Sequence, residues 1–111
     1  MKTILIPVDF SETSTNALRY VTALVEDIAV GSVLPPGGGA TEFRAAALVA
    51  GFPVSAAVKS LNRQCSSGLQ ACVDIANAIS SGMIEIGVGA GVESMSLQYG
   101  YVSEMDRAND S

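Results

Sequence analysis

Asn62-Arg63-Gln64-Cys65-Ser66-Ser67-Gly68-Leu69-Gln70-Ala71 is the stretch that decides how the chain reads. Residues 56–61 before it form an expected strand, and residues 65–80 an expected helix that Gly82 ends. The ten residues are then a strand leaving through a tight turn into a helix. Cys65 sits at that turn, where the amides of a helix start favour the thiolate form of a thiol. Cys65 is the candidate nucleophile, and Ser66, Ser67 and Gly68 are expected to serve the turn and a close backbone approach. The structural alternative for Cys65 is a small buried apolar residue.

Reading outward, residues 3–8 are a continuous apolar run of the kind buried on both faces of a parallel sheet. Helix-start residues follow at 9–14, then a helix to about Glu26 with Ala17, Leu18, Val21, Leu24 and Val25 inward. Residues 28–34 make a second strand, Pro35-Pro36-Gly37-Gly38-Gly39 a loop, and residues 41–50 a short Ala-rich helix stopped by Gly51 and Pro53. Residues 83–89 are the fourth strand, and the tail from Gly100 is polar and acidic. The order βαβαβαβ predicts an α/β fold with a mostly parallel sheet of about four strands and helices on both faces. The helix at 65–80 carries one charge, Asp74, between Gln64 and Ser81, with Leu69, Cys72, Val73, Ala76 and Ile79 as a stripe. So bland a helix is expected to lie buried between layers, with Cys72 in the core.

The 111 residues suit one domain with one core. Hydrophobic residues make up 49 % and charged residues 15 %, so the chain should fold, and surplus apolar surface points to a homo-oligomer or to further protein that covers it. With a net charge of −5 and six scattered Lys and Arg, no basic stripe forms and nucleic acid is excluded as a partner. There is no His, which removes the commonest general base and metal ligand; no metal site is expected. Cys65 and Cys72, seven apart on one helix, would stand about 10 Å apart along its axis, beyond disulfide reach. Two free thiols fit a reducing compartment. No apolar stretch is long enough to span a bilayer, no signal-peptide pattern opens the chain, and the last two residues are Asp110-Ser111 instead of a Ser-Lys-Leu address. A cytoplasmic location is the default expectation.

From residue 27 to about residue 100 the chain resembles the first domain of thiolases, in particular peroxisomal-type 3-ketoacyl-CoA thiolases. The residues that carry the resemblance are Asp27-Ile28-Ala29-Val30-Gly31-Ser32-Val33-Leu34, Gly39-Ala40-Thr41-Glu42-Phe43-Arg44-Ala45-Ala46, Asn62 through Ala71, and Gly89-Ala90-Gly91-Val92-Glu93-Ser94-Met95-Ser96. The resemblance implies acyl transfer between coenzyme A thioesters, as in fatty-acid β-oxidation, with Cys65 as the acylated nucleophile, acyl-CoA as substrate and no resident cofactor. The family's activating His, second reactive Cys and oxyanion-binding His belong to later motifs that this sequence lacks, so the chain alone is expected to be inactive. Relatives of this type are often peroxisomal.

Residues 1–25 instead resemble the opening of universal stress proteins, through Met1 to Ser11, Ser14 and Ala17-Leu18. In that family an Asp placed like Asp9 contributes to a nucleotide site, but the glycine-rich phosphate loop is not recognisable here. The two resemblances join near residue 26, as in a chimera in which one β-α unit replaces another. The chain is thus expected to be one domain, made of a unit at 1–26, a thiolase-like segment at 27–100 and a tail at 101–111. Two other readings stand beside acyl transfer: an engineered fold or interaction scaffold without catalysis, and a nucleotide-binding module using Asp9. Gly89, Gly91 and Glu93 are expected to shape a bend, and Glu12, Glu26, Glu104 and Asp106 to be solvated charges. The Pro35–Gly39 loop lacks the Lys and Ser/Thr of a phosphate loop.

Overall fold

Parallel strands at the centre and one helix on each side define the architecture of the described residues, 11–96 in the computed structural model. The strand expected at 3–8, Asp9, Glu104, Asp106 and the tail at 101–111 lie outside them. The elements run α1 (Glu12–Thr22), β1 (Asp27–Gly31), a 3-10 turn (Pro36–Gly38), α2 (Ala40–Val49), β2 (Ala57–Leu61), α3 (Ser67–Ser80) and β3 (Gly87–Gly91). Among the described residues, three strands in the order β2-β1-β3, all parallel, form the sheet. Asp27 pairs with both Ala57 and Gly87, so the strands end level at Gly31, Leu61 and Gly91.

Strand alternation sends β1 side chains to opposite faces. Ile28 and Val30 join Val25 and Ala47, with Phe43, Phe52, Val58 and Val88, in a core beneath α2. Ala29 points the other way and meets Ala71 and Ile75 of α3, with Leu61, Ile79 and Ile84 around them. Arg44 of α2 reaches across to the carbonyls of Val54 (2.7 Å) and Ala56 and fixes the turn into β2. The Pro35–Gly39 segment is a loop, as its composition predicts; Gly37, Gly38 and Gly39 all take positive φ, which three residues with a Cβ would resist.

Glycine sets the distance between α3 and the sheet. A Cβ on Gly31 would lie 2.2 Å from the Ser67 carbonyl carbon, one on Gly89 2.7 Å from the Cys72 Cα, and one on Gly87 2.8 Å from an Ile75 methyl. Gly87, Gly89 and Gly91 alternate along β3 with Val88 and Ala90, so every residue on its α3 side lacks a side chain. The helix rests backbone to backbone on this strip and meets it with small residues: Ser67, Gly68, Ala71 and Cys72.

Several sequence expectations are corrected. The last strand is at Gly87–Gly91, not 83–89. Met83 is exposed, Ile84 tucks under α3, and the Glu85 N–H donates to the Glu26 carboxylate at 2.7 Å, so Glu26 holds a turn and is not only a solvated charge. The buried face of α3 is Ser67, Ala71 and Ile75; Leu69 (69 % exposed) and Val73 point away, and Cys72 is exposed instead of buried in the core. With Ser67, Ala71 and Ile75 seated on the sheet and Ile79 packed beside them, Leu69 and Val73 are left on the outer side of the helix. The first helix also ends at Thr22, not near Glu26, and buries none of its residues. Of the five positions expected inward, only Val25, beyond the helix, enters the core; Ala17, Leu18 and Leu24 are exposed.

Candidate functional site

Between β2 and α3 the chain makes a turn whose geometry is over-determined. Gln64 takes φ 53°, the left-handed region that a residue with a Cβ enters at a cost of about 1–2 kcal/mol. Four hydrogen bonds hold it there. The Gln64 N–H donates to Asn62 Oδ1 (2.9 Å), and its carbonyl accepts from the Ser67 N–H (3.1 Å) and from Ser67 Oγ (2.6 Å). Ser67 Oγ also accepts from the Arg63 N–H at 2.8 Å. Ser67 is only 4 % exposed, so its hydroxyl is a buried clamp across the turn.

Replacing Ser67 by Ala leaves the Arg63 N–H and the Gln64 carbonyl without that partner. The expected cost is about 1–3 kcal/mol, read from urea unfolding by circular dichroism, with faster amide exchange at Arg63.

Cys65 follows Gln64 directly, one residue ahead of the N-cap Ser66, so α3 begins two residues later than the expected 65–80. Its side chain is exposed and its thiol is free, as is that of Cys72. Ser66 makes no side-chain cap; its hydroxyl donates to Arg63 O at 2.9 Å, leaving the first-turn amides uncapped by it. Cys65 lines an open cleft of about 450 Å³ whose other walls include Ser32, Leu34, Gly68, Glu93 and Met95. The cleft lies beyond the carboxyl ends of β1 and β3, where parallel sheets with flanking helices hold ligands.

Glu93 closes the far side. One carboxylate oxygen accepts from the Val33 N–H (2.9 Å), the other from the Leu34 N–H (3.2 Å). The single proton of Ser32 Oγ is shared between Val92 O (2.5 Å) and Glu93 Oε2 (3.0 Å). Partial loss of water pushes the Glu93 carboxyl up, but the amides of Val33 and Leu34 and the Ser32 hydroxyl outweigh this and hold it below its ordinary value. A depressed carboxyl contributes stability above its unfolded-state value and loses it as pH falls through the folded one. Asp74, lowered first by the Gln70 side-chain hydrogen bond against some desolvation and further by Lys59 and Arg63, follows the same sign. On acidification below about pH 4, wild type should therefore lose about 1 kcal/mol more stability than Glu93→Gln, a discounted figure because the carboxylate is exposed. Urea titrations of both proteins at neutral and acid pH measure it; Asp74 cancels in the difference.

The structure thus brings Cys65, Gly68, Gly91 and Glu93 to one cleft, and places Cys72 apart, on α3 with its sulfur 3.7 Å from Gly89 O. Gly89 and Gly91 lie within β3 instead of in a bend after it, and Gly91 approaches Gly68 closely. Sequence reasoning passed over Ser32 and Asn62; the signal for Glu93 was its place two residues beyond a period-two glycine run. No group of three or more His, Cys, Asp or Glu among the described residues could hold a metal ion, and no helix there is long and apolar enough to cross a membrane.

Residues 16–110, which include the cysteine turn, α3 and the glycine-faced sheet, match the family described as Thiolase, N-terminal domain, and the chain belongs to it. The match starts ahead of residue 26, inside the segment that resembles a stress protein, and takes in most of the tail. The 3-ketoacyl-CoA thiolase, peroxisomal, of Yarrowia lipolytica is 60 % identical over 77 residues, which are 69 % of this chain and 19 % of that protein. The Saccharomyces cerevisiae protein of the same name is 52 % identical over 88 residues, 79 % of this chain and 21 % of its own length. Among solved structures, the dimeric peroxisomal thiolase of Saccharomyces cerevisiae superposes with a TM-score of 0.70 at 49 % identity, covering 84 % of this chain and 23 % of that one. The chain spans about a fifth of the length of the curated relatives it matches.

Proposed function

We propose that this chain is the cysteine-bearing part of a 3-ketoacyl-CoA thiolase-type acyltransferase, with Cys65 as the acyl acceptor. The observation that carries the reading is the place of Cys65: exposed on an open cleft, beside the uncapped first turn of α3. The Cys65 thiolate attacks the carbonyl carbon of a coenzyme A thioester and forms a new S–C bond. The bond to the coenzyme A sulfur breaks, and that thiolate leaves and takes up the proton the cysteine released. The Ser66 and Ser67 amides are taken by Arg63 O and Gln64 O, so the following amides of the first turn, at Gly68 and Leu69, are the candidate donors to the oxyanion that forms in between.

Complete turnover needs a general acid and base worth about 10²–10⁴ in rate, and this chain has no His to supply one. The isolated chain should therefore take up one acyl group slowly and stop. Peroxisomal names among the relatives favour a peroxisomal setting over the cytosolic default, with work in fatty-acid β-oxidation. The dimeric solved neighbour favours a homo-oligomer, in which further protein would cover Leu69 and Val73. Incubation with acetyl-CoA followed by intact-mass and peptide mapping tests the function: one acetyl group on Cys65 is expected, and none at all overturns it.

A further inference from the structure

We propose that Glu93 and Asn62 form a hydrogen-bonded brace that positions the Cys65 turn, with Glu93 a positioning residue acting through the segment 32–34. The proposal rests on Cys65 being the acyl acceptor. From the Glu93 carboxylate the path runs to the Val33 and Leu34 N–H groups, at 2.9 and 3.2 Å. The same peptide segment is tied to the residues before Cys65 at two points. The Ser32 N–H donates to Leu61 O at 3.0 Å, and Asn62 Nδ2 donates to Val33 O at 3.5 Å, the longest link. Asn62 then turns its other end, Oδ1, to the Gln64 N–H at 2.9 Å, and Gln64 in its left-handed conformation delivers Cys65. Glu93 is itself anchored, because the Val92 N–H extends the sheet ladder to Gly31 O at 3.1 Å.

Each member has a local job, but together they join the ends of all three strands around the cleft. A carboxylate is the side chain that can accept from two successive amides and a hydroxyl at once. The two amides and hydroxyl at 32–34 thus gain partners, and Asn62 is left to orient the cysteine turn. Cutting the brace removes one of the four bonds that hold the left-handed turn, leaves the Ser67 clamp, and should loosen the placement of the thiol at the start of α3. An anion at a helix start is favoured by an amount equivalent to about two- to fivefold in rate.

The test is alkylation by iodoacetamide at neutral pH, with Cys65 and Cys72 quantified separately by peptide mapping so that Cys72 serves as the internal standard. Asn62→Ala and Glu93→Ala should each lower the Cys65/Cys72 ratio about two- to fivefold, and the double variant should fall no lower than the worse single one. Glu93→Gln removes the same charge but keeps one acceptor, so it should retain part of the ratio. An unchanged ratio in Asn62→Ala, independent effects that multiply in the double variant, or equal effects of Glu93→Gln and Glu93→Ala would each overturn the brace. If the alanine variants fail a circular-dichroism check of folding, amide exchange at Gln64 in Glu93→Gln decides: faster exchange supports the brace, unchanged exchange sinks it. Alkylation needs no acyl chemistry, so the two readings separate. Failure of acetyl-CoA labelling removes the function and leaves the ratios; loss of the Asn62 and Glu93 dependence with labelling intact removes only the brace.

Discussion

Gly31→Ala should unfold or severely destabilise the chain, although alanine in a strand normally gains about 0.5–1 kcal/mol over glycine. The new methyl would lie 2.2 Å from the Ser67 carbonyl carbon, 2.3 Å from its oxygen and 2.6 Å from the Gly68 nitrogen. These are backbone atoms of the first turn of α3, so no side chain can rotate away and the whole helix must lift. Lifting it opens the core at Ala29, Ala71 and Ile75 and breaks the Ser67 clamp. Overpacking costs about 1–3 kcal/mol where side chains can adjust, and here about 3 kcal/mol or more is expected. Gly51→Ala is the control: nothing lies within 4 Å of its added methyl, and only its φ of +97° opposes the change. That variant should lose about 1 kcal/mol. Urea unfolding of both variants against wild type, followed by far-UV circular dichroism, gives the comparison. Equal losses would show that the contact between α3 and β1 is looser than described.

Cys65→Ser should lower acetyl uptake from acetyl-CoA by about 100-fold or more, because a hydroxyl without an adjacent base is a far weaker nucleophile than a thiol. Cys72→Ser should leave uptake within twofold of wild type, within ordinary variation at a distant exposed site. The two cysteines share a reagent and a solvent, so the contrast isolates position. Cys65 precedes α3, beside first-turn amides that have no intrahelical partner. Cys72 lies within the helix, where amides are spent on intrahelical bonds and its sulfur faces the carbonyl oxygen of Gly89. An oxyanion forming at Cys72 would find no donors. Equal labelling of both cysteines would mean that exposure alone governs the reaction and that the turn at residue 64 contributes nothing.

Much of the fold was legible because its elements announce themselves locally. The apolar run through Ile28 and Val30, the Ala-rich segment stopped at Gly51 and the long, nearly uncharged helix after Cys65 each fall within a few residues of β1, α2 and α3. The turn at Cys65 was readable for the same reason, as an abrupt change from strand to helix pattern. What escaped depends on contacts between distant residues. Met83 and Ile84 drew the last strand four residues too early, since hydrophobicity marks a strand but not its register with β1. The face of α3 was misjudged because the bulky stripe at Leu69 and Val73 looks like a core face until the opposing surface is known to be glycine. Glu93 read as an ordinary residue of a bend, since its partners at 32–34 are some sixty positions away in sequence.

Direct main-chain contact between α3 and the sheet fixes how this scaffold can diversify. Any larger atom added to that contact expels the helix, so the height of the sulfur above the strands cannot be tuned in small steps. The residues whose side chains can vary without moving it are those of the rim, Val33 and Leu34 on one side and Val92 and Met95 on the other. Variation in what the cleft admits is therefore expected in those loops, while the place of Cys65 stays constant.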